Sequence, residues 1–451
     1  MDDLLRDATA RALRYLNGLD ARGVAPDPAA VTRLAELETP LPEQAADPAE
    51  ILAQLDSYAG ATMAMNGPRF FGFVIGGVLP AALAANWLAG AWDQNTALVA
   101  VTPLTATLEA VALRWLVALL GLPEGTGAGF VTGATVANFT CLAAARHAVL
   151  AGAGWDVEAD GVFGAPPVTV IVGDEAHPSL IKSLGLIGFG RNRVVRVPVD
   201  GQGRMRADAF PALKGPTIVC LQAGNVNTGA FDPAAEIVPR AREAGAWVHV
   251  DGAFGLWAAA SAQYAHLMAG YADADSWATD AHKYLNTPYD SGLAFVRDPQ
   301  ALRAAMAITA AYLPASATRD PADYTPELSR RARGVEVWAA LRSLGRAGVA
   351  ELVERTCRHA TRFASGLSAA GYTILNEVVL NQVLVAFGDD EVTRRVIAGI
   401  QRDGTCWCGG TVWQGQTAMR ISVSSWATTD DDVERSLAAM LRVAAEQARQ
   451  G

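Results

Sequence analysis

Lysine is scarce in this sequence. Of its 36 basic residues only Lys182, Lys214 and Lys283 are lysine, and all the others are arginine. A chain that draws its positive charge almost wholly from arginine leaves each lysine to be tested for work arginine does not do, above all as a neutral amine nucleophile. Cysteine is scarce too. Cys141, Cys220, Cys357, Cys406 and Cys408 form an odd, scattered set, unlike a disulfide framework. Cys406 and Cys408 flank Trp407, but no second close pair or nearby histidine completes a zinc site, so reduced thiols and no metal are expected. Long apolar runs are missing as well. Residues 78–91, among the most apolar, are interrupted by Pro80 and Asn86 and are too short to span a bilayer. There is no basic stripe, and the net charge of −10 disfavours binding to nucleic acid or acidic membranes, because phosphate contacts need clustered Lys and Arg. Asp2, Asp3 and Asp7 stand where a secretory signal would need basic residues before an apolar run, so a cytoplasmic location is expected.

What remains is a globular composition, with 51% hydrophobic and 18% charged residues over a length of 451, too long for one small core. Residues 1–20 have helical spacing, with Leu4, Leu5, Ala8, Ala12 and Tyr15 on one face, and prolines punctuate the stretch up to about Tyr58. An apolar helix is expected over 104–120, then a Gly-rich passage over 125–133, then a helix over 137–150. Residues 168–172, 194–197, 217–221, 247–251 and 292–296 are short β-branched or apolar runs, suited to strands buried on both faces of a mainly parallel sheet. Residues 233–245 supply a crossover helix, which makes this α/β alternation. Beyond about residue 313 come Arg-rich helices (328–344 and 349–370), strand-like VLVAF and MRISVS segments and a last helix near Thr429. The expected organisation is an N-terminal helical segment (1–65), a large α/β domain (66–312) and a smaller C-terminal α+β domain (313–451).

Ligands of open parallel sheets sit beyond the carboxyl ends of the strands. There the sequence places Asp174, Glu175 and His177 after one strand and Gly224, Asn225 and Asn227 after another. Asp251 ends a third, and His282 and Lys283 follow ADSWATDA. One cofactor explains the set. Pyridoxal phosphate (PLP) needs an amine to form an imine, a carboxylate for its pyridine nitrogen, a stacking face and a phosphate cradle. Lys283, Asp251 and His177 supply the first three. The turn Thr132-Gly133-Ala134-Thr135, opening a helix, offers N–H groups and hydroxyls to a phosphate. Taken singly, each has a plainer reading: Lys283 as a solvated lysine, His177 as a structural histidine, Asp251 as a turn cap and Thr132 to Thr135 as a helix cap. Their ordered combination is the specific signal. His147, His266 and His359 read as helix-surface residues, and His249, two residues before Asp251, as at most a supporting one.

Together these segments resemble the group II PLP-dependent decarboxylases, the family of aromatic amino acid, tyrosine and glutamate decarboxylases. The resemblance runs from about Asn66 to the last helix. It is strongest in HVDGAFG around Asp251 and in ADSWATDAHKYLNTPYDSGLAFVRD around Lys283, which is similar to the family's Asp-Ser-x-x-x-Asp-x-His-Lys-aromatic-Leu signature. GFVTGATVANFTCLAAAR is similar to the phosphate-loop segment, DEAHPSLIKS to that of the stacking histidine, and NTGAFDP and SRRARGVEVWAALRSLG to further segments. The resemblance implies a fold-type I PLP-dependent transferase fold and a homodimer with its site at the interface. It also implies Lys283 as the imine lysine, Asp251 on the ring nitrogen, His177 stacked on the ring and Ala253 against the other face. Ala134, Thr135 and Asp280 would surround the phosphate, Asn225 would donate to the phenolic oxygen, and His282 would meet substrate or phosphate. Three departures stand out. Asn66-Gly67-Pro68 replaces a His-Pro, Gly133-Ala134 stands where two glycines are usual, and the loop that carries a catalytic tyrosine in the animal enzymes is short, between Tyr312 and Arg330. Tyr324 is the candidate for that tyrosine.

The activity implied is decarboxylation of an L-amino acid to an amine and carbon dioxide. Breaking the bond to Cβ instead would make the protein an aldolase of β-hydroxy amino acids, and a scaffold that binds the cofactor without turnover is the reading from another class. Phe70, Phe71 and Phe73 would wall a pocket for an aromatic or apolar substrate, or else belong to the core.

Overall fold

The computed structural model describes residues 1–308 and 318–449. The expected boundary at residues 312–313, and Tyr312 with it, lie outside the described residues. The chain forms two compact units, one of residues 78–361 and 376–382, the other of residues 1–77, 362–375 and 383–451. These do not follow the boundaries expected at 65 and 312. The reason is that residues 318–361 return to the first unit through polar contacts, those of Arg330 buried and that of Glu354 partly so. Arg330 Nη1 donates to Glu109 Oε2 at 2.7 Å, Arg330 Nη2 to the carbonyl of Phe130 at 2.9 Å, and Ser261 Oγ to Glu354 Oε1 at 2.6 Å.

The first unit is built on a seven-stranded sheet of β1 (Gly127–Val131), β2 (Thr169–Gly173), β3 (Val195–Val197), β4 (Thr217–Gln222), β5 (Trp247–Asp251), β6 (Ser276–Asp280) and β7 (Gly292–Val296). The spatial order is β1-β7-β6-β5-β4-β2-β3. Neighbours from β3 to β6 pair in parallel, whereas β7 is antiparallel to both β6 and β1. Strands β4 to β7 are buried at every position, which is why β4 and β7 are apolar nearly throughout instead of alternating; β6, SWATD, has no such run and is not among the strands expected from sequence. β1 lies in the stretch that reads as merely Gly-rich. Its glycines allow a close approach, since a Cβ on Gly129 would lie 2.4 Å from the carbonyl oxygen of Tyr324. The Ala134–Gly152 helix lays Ala137, Cys141, Leu142, Ala144 and Ala145 into the core beside Val170, Ile218 and Ala278. The parallel frame brings the carboxyl ends of β2, β4, β5 and β6 to one edge, and β1, antiparallel to an antiparallel neighbour, ends there too.

The Gly334–Ala369 helix breaks at Gly345 (φ 61°), a left-handed conformation that favours glycine, between the two helices expected there. His359, expected at the surface of this helix, is buried.

The second unit holds a four-stranded sheet of β8 (Thr373–Ile374), β9 (Gln382–Ala386), β10 (Gly409–Trp413) and β11 (Gln416–Ser422), in the order β10-β11-β9-β8. Its last helix, Asp430–Ala448, starts at a capping box in which Thr429 and Asp432 exchange hydrogen bonds with each other's backbone N–H. Phe70 and Phe71 are core residues of this unit. Phe70 stacks on Trp407 at 5.2 Å between centroids and Phe71 packs edge-on against Phe363 at 5.1 Å. Among the described residues no helix is long and apolar enough to cross a membrane, no cluster suited to a metal ion occurs, and the five cysteines are free and buried.

Candidate active site

At the common edge of the strands of the first unit lies a cavity of about 340 Å³. It is lined by Thr132 to Thr135 and His177, by Asp251 and Ala253, and by Asp280, His282 and Lys283, so most of the residues singled out by sequence meet here. Asp280 ends β6, and the chain turns so that Lys283 Nζ comes back to 3.0 Å from Asp280 Oδ2. The other oxygen, Oδ1, accepts from the backbone N–H of Ala134 at 2.6 Å, the first residue of its helix. That end of the Asp280 carboxylate therefore sits on a helix N-terminus.

His282 is held on several sides. Its Nδ1 accepts from the N–H of Ser291 at 3.1 Å, its Nε2 lies 3.6 Å from Asp280 Oδ1, and its ring stacks on Tyr289 at 4.2 Å between centroids. Burial holds its pKa below the ordinary value, Lys283 adds to the effect and Asp280 opposes it. The neutral ring, with Nδ1 accepting, carries its hydrogen on Nε2. His177 caps the Pro178–Leu186 helix, its Nδ1 accepting from the N–H of Ser179 at 3.2 Å, and Pro178 follows at N1, where its missing N–H costs nothing. Asp251 is almost fully buried. Its Oδ2 accepts from Asn138 Nδ2 at 3.1 Å and its Oδ1 from the N–H of Ala253 at 3.3 Å, which leaves lone pairs for a further donor.

Several expected residues are placed elsewhere. Asn225 does not line the cavity, although its neighbours Gly224 and Val226 do. Its Oδ1 accepts from the N–H groups of Asn227 and Thr228, and its buried Nδ2 has no hydrogen-bond partner in the structure. Tyr324 ends a short 3₁₀ turn, packs partly buried against the core cluster of the large sheet and lies beneath the Arg319 guanidinium, 4.2 Å from ring centroid to Cζ. It is not a lining residue. Phe73 is 60% exposed and stacks on Trp407 within the second unit.

Sequence reasoning missed Gln222, Phe254, Ser179, Val136 and Val226 in the lining. Gln222 had a usable signal, because it ends β4 as Asp251 ends β5, and the two are partners in register. Phe254, whose ring centroid is 6.0 Å from Lys283 Nζ, follows Ala253 in HVDGAFG and had no signal of its own.

The donor set fits PLP. One wall carries a primary amine, another a buried carboxylate with acceptor capacity to spare, a third an imidazole, and the floor is a turn at the start of a 19-residue helix. Among solved structures, that of Oryza sativa TDC with PLP and tryptamine superposes with a TM-score of 0.90 at 23% identity, covering 99% of this chain and 97% of that one. Mouse CSAD also gives a TM-score of 0.90, at 21% identity and 98% coverage of both chains. Fold and site together define a PLP-dependent enzyme of fold type I.

A family model described as the pyridoxal-dependent decarboxylase conserved domain matches residues 32–388, and the chain belongs to that family. Tryptophan decarboxylase 1 of Oryza sativa subsp. japonica is 28% identical over 401 residues, covering 79% of this chain and 76% of that protein. L-2,4-diaminobutyrate decarboxylase of Rhizobium meliloti (strain 1021) is 29% identical over 471 residues, covering 98% and 90%. The activity is therefore PLP-dependent decarboxylation of an amino acid, the reaction of a carboxy-lyase, and neither an aldolase nor an inert scaffold is favoured.

Proposed function

We propose that the substrate is an L-amino acid with an aromatic or apolar side chain, decarboxylated by a homodimer in the cytoplasm. The lining of the cavity carries the substrate reading. Val136, Val226 and Phe254 give it apolar walls, and no arginine is among its described lining residues, so a second substrate carboxylate would find Asp251 and Asp280 without an arginine to offset them. The homodimer is supported by exposed apolar side chains of the kind an interface covers: Leu5 and Leu13 on the N-terminal helix, and Trp87, Leu88 and Trp92 on the Pro80–Trp92 helix. Five free cysteines and no disulfide among the described residues suit a reducing compartment.

Within this reading Lys283 is the amine that holds the cofactor. Asp280 Oδ2, 3.0 Å from Nζ, holds the amine in position. Asp251 would pair with the ring nitrogen, and His177 and Ala253 would take the two faces of the ring. The turn Thr132 to Thr135 would receive the phosphate, and His282 Nε2–H would be a donor for phosphate or substrate carboxylate. Bound PLP supplies a sink for the electron pair left when the substrate carboxylate departs as carbon dioxide. Asn225, with its unused Nδ2, is assigned as a supporting donor behind Gly224. Tyr324, packed beneath Arg319, is left without a role in the chemistry.

The test is a screen of L-amino acids by mass spectrometry on the purified protein, with carbon dioxide followed in parallel. Amines from tryptophan, tyrosine or phenylalanine are expected. Release from glutamate or diaminobutyrate alone would overturn the substrate reading. Lys283→Ala is expected to lose the visible absorbance of the lysine-bound cofactor, and a normal spectrum in that variant would overturn the role of Lys283.

A further inference from the structure

Outside the cavity lining, starting at Asp251, lies a row of buried polar groups that the chemistry above does not use. Asn138 is on the Ala134–Gly152 helix, His249 and Trp247 are on β5, and Ser276 begins β6. Asn138, His249 and Ser276 have no exposed surface and Trp247 is 9% exposed. Asn138 Nδ2 is 3.1 Å from Asp251 Oδ2, Asn138 Oδ1 is 2.9 Å from His249 Nε2, and His249 Nδ1 is 2.9 Å from Ser276 Oγ. Trp247 Nε1 is 2.9 Å from the same Ser276 oxygen.

We propose that Trp247, Ser276, His249 and Asn138 form a one-directional hydrogen-bond chain that positions Asp251 for the cofactor's ring nitrogen, with His249 locked as the neutral Nε2–H tautomer. The direction follows from the chemistry of the two ends. As a carboxylate Asp251 only accepts, so Asn138 presents its NH₂ to Asp251 and its carbonyl to His249. His249 Nε2 therefore carries a hydrogen. Its Nδ1 is then an acceptor and takes the hydroxyl hydrogen of Ser276. At the far end the indole N–H of Trp247 only donates, and it finds the remaining lone pairs of Ser276. Every donor in the row points towards Asp251, so the bonds polarise one another in the same sense. Burial, which pushes the His249 pKa down to about 3, keeps the ring neutral and this order intact.

Because Asn138 engages one oxygen of Asp251 and the Ala253 N–H the other, the chain fixes the rotation of the carboxylate. The residues act through Asp251 and are positioning residues. This inference rests on the reading of Asp251 as the partner of the ring nitrogen.

The test uses the full-length protein, with Ser276→Ala as the principal variant, because it removes the hydroxyl while leaving His249, Asn138 and Asp251 in place. Two quantities are read: the ring ¹⁵N spectrum of His249, assigned with a His249→Gln variant, and the affinity for PLP from titration by absorbance. Wild type is expected to show His249 as a single neutral tautomer with hydrogen on Nε2. Ser276→Ala is expected to mix the tautomers and to weaken PLP binding about tenfold, the range for a lost hydrogen bond that acts on a charged group. Trp247→Phe is expected to fall between the two. Hydrogen on Nδ1 in the wild type, or PLP affinity in Ser276→Ala equal to wild type, would overturn the chain. Asp251→Ala separates the two readings. If it binds PLP like wild type, the assignment of Asp251 fails. If it loses affinity while Ser276→Ala does not, that assignment stands and only the chain falls.

Discussion

With no exposed surface, the His249 imidazole lacks the water that would stabilise its cation, and its pKa falls from 6.5 to about 3. Between those values the unfolded chain binds a proton that the folded one does not, so stability rises with pH across the window and is lost as the pH drops through it. For this one group the loss from about pH 7.5 to about pH 5 is about 2 kcal/mol. Asp232 acts in the opposite sense. Burial raises its pKa from 3.8 to about 6, the N–H groups of Met205 and Gln222 offset part of that, and its contribution is therefore lost as the pH rises through 6. Comparing wild type with His249→Gln isolates the histidine. Urea unfolding at the two pH values is expected to show the gap between the proteins shrinking by about 2 kcal/mol at the lower one. A constant gap would mean that the ring is not held neutral.

Among the secondary-structure elements, the cavity depends on how closely β7 approaches the turn after β1. A Cβ on Gly292 would lie 2.4 Å from Gly133 Cα, inside the turn assigned to the phosphate, with no flexible side chain there to give way. Gly292→Ala is therefore expected to push the turn outward, cost about 1–3 kcal/mol of stability and weaken PLP binding. Differential scanning calorimetry and PLP titration read both effects. An alanine variant that melts and binds like wild type would show that the turn has slack. The same closeness explains β1, whose glycines lower strand propensity yet are what lets the backbone near Tyr324 lie against the strand.

For the whole molecule, the exposed apolar side chains of the Pro80–Trp92 helix bear on the homodimer. Trp87, Leu88 and Trp92 are 41%, 54% and 39% exposed, on a chain whose net charge is −10. Light scattering of the wild type is expected to give twice the 47.2 kDa chain mass. Trp87→Glu with Leu88→Glu is expected to shift it towards monomer, because a carboxylate at each site would have to be desolvated in the interface. A wild-type monomer that decarboxylates at full rate would overturn the homodimer.

Read from the sequence alone, five strands of the large sheet are legible because each lies in a short apolar or β-branched run, and the ends of parallel strands are where ionisable residues can meet a ligand. Lys283, Asp251, His177 and the turn at Thr132 to Thr135 are therefore visible as a set before any packing is known, and they line one cavity. Hidden from sequence are the contacts made across long separations. Asn138 and Asp251 are 113 positions apart, and nothing local to either residue predicts that they touch. Phe70 and Phe71 have the composition of a pocket wall and turn out to be core, because composition does not say which face a side chain meets. Tyr324 has the right residue type in the expected loop, but the Arg319 cation and the glycines of β1 hold it away from the cavity lining. The sequence by itself determined five of the seven strands of the large sheet and the chemical groups available at their functional ends, while β1 and β6 carried no apolar run to mark them. Only the tertiary structure decided which of those groups face one another, because directional hydrogen bonds and close packing are settled between residues that sequence does not place side by side.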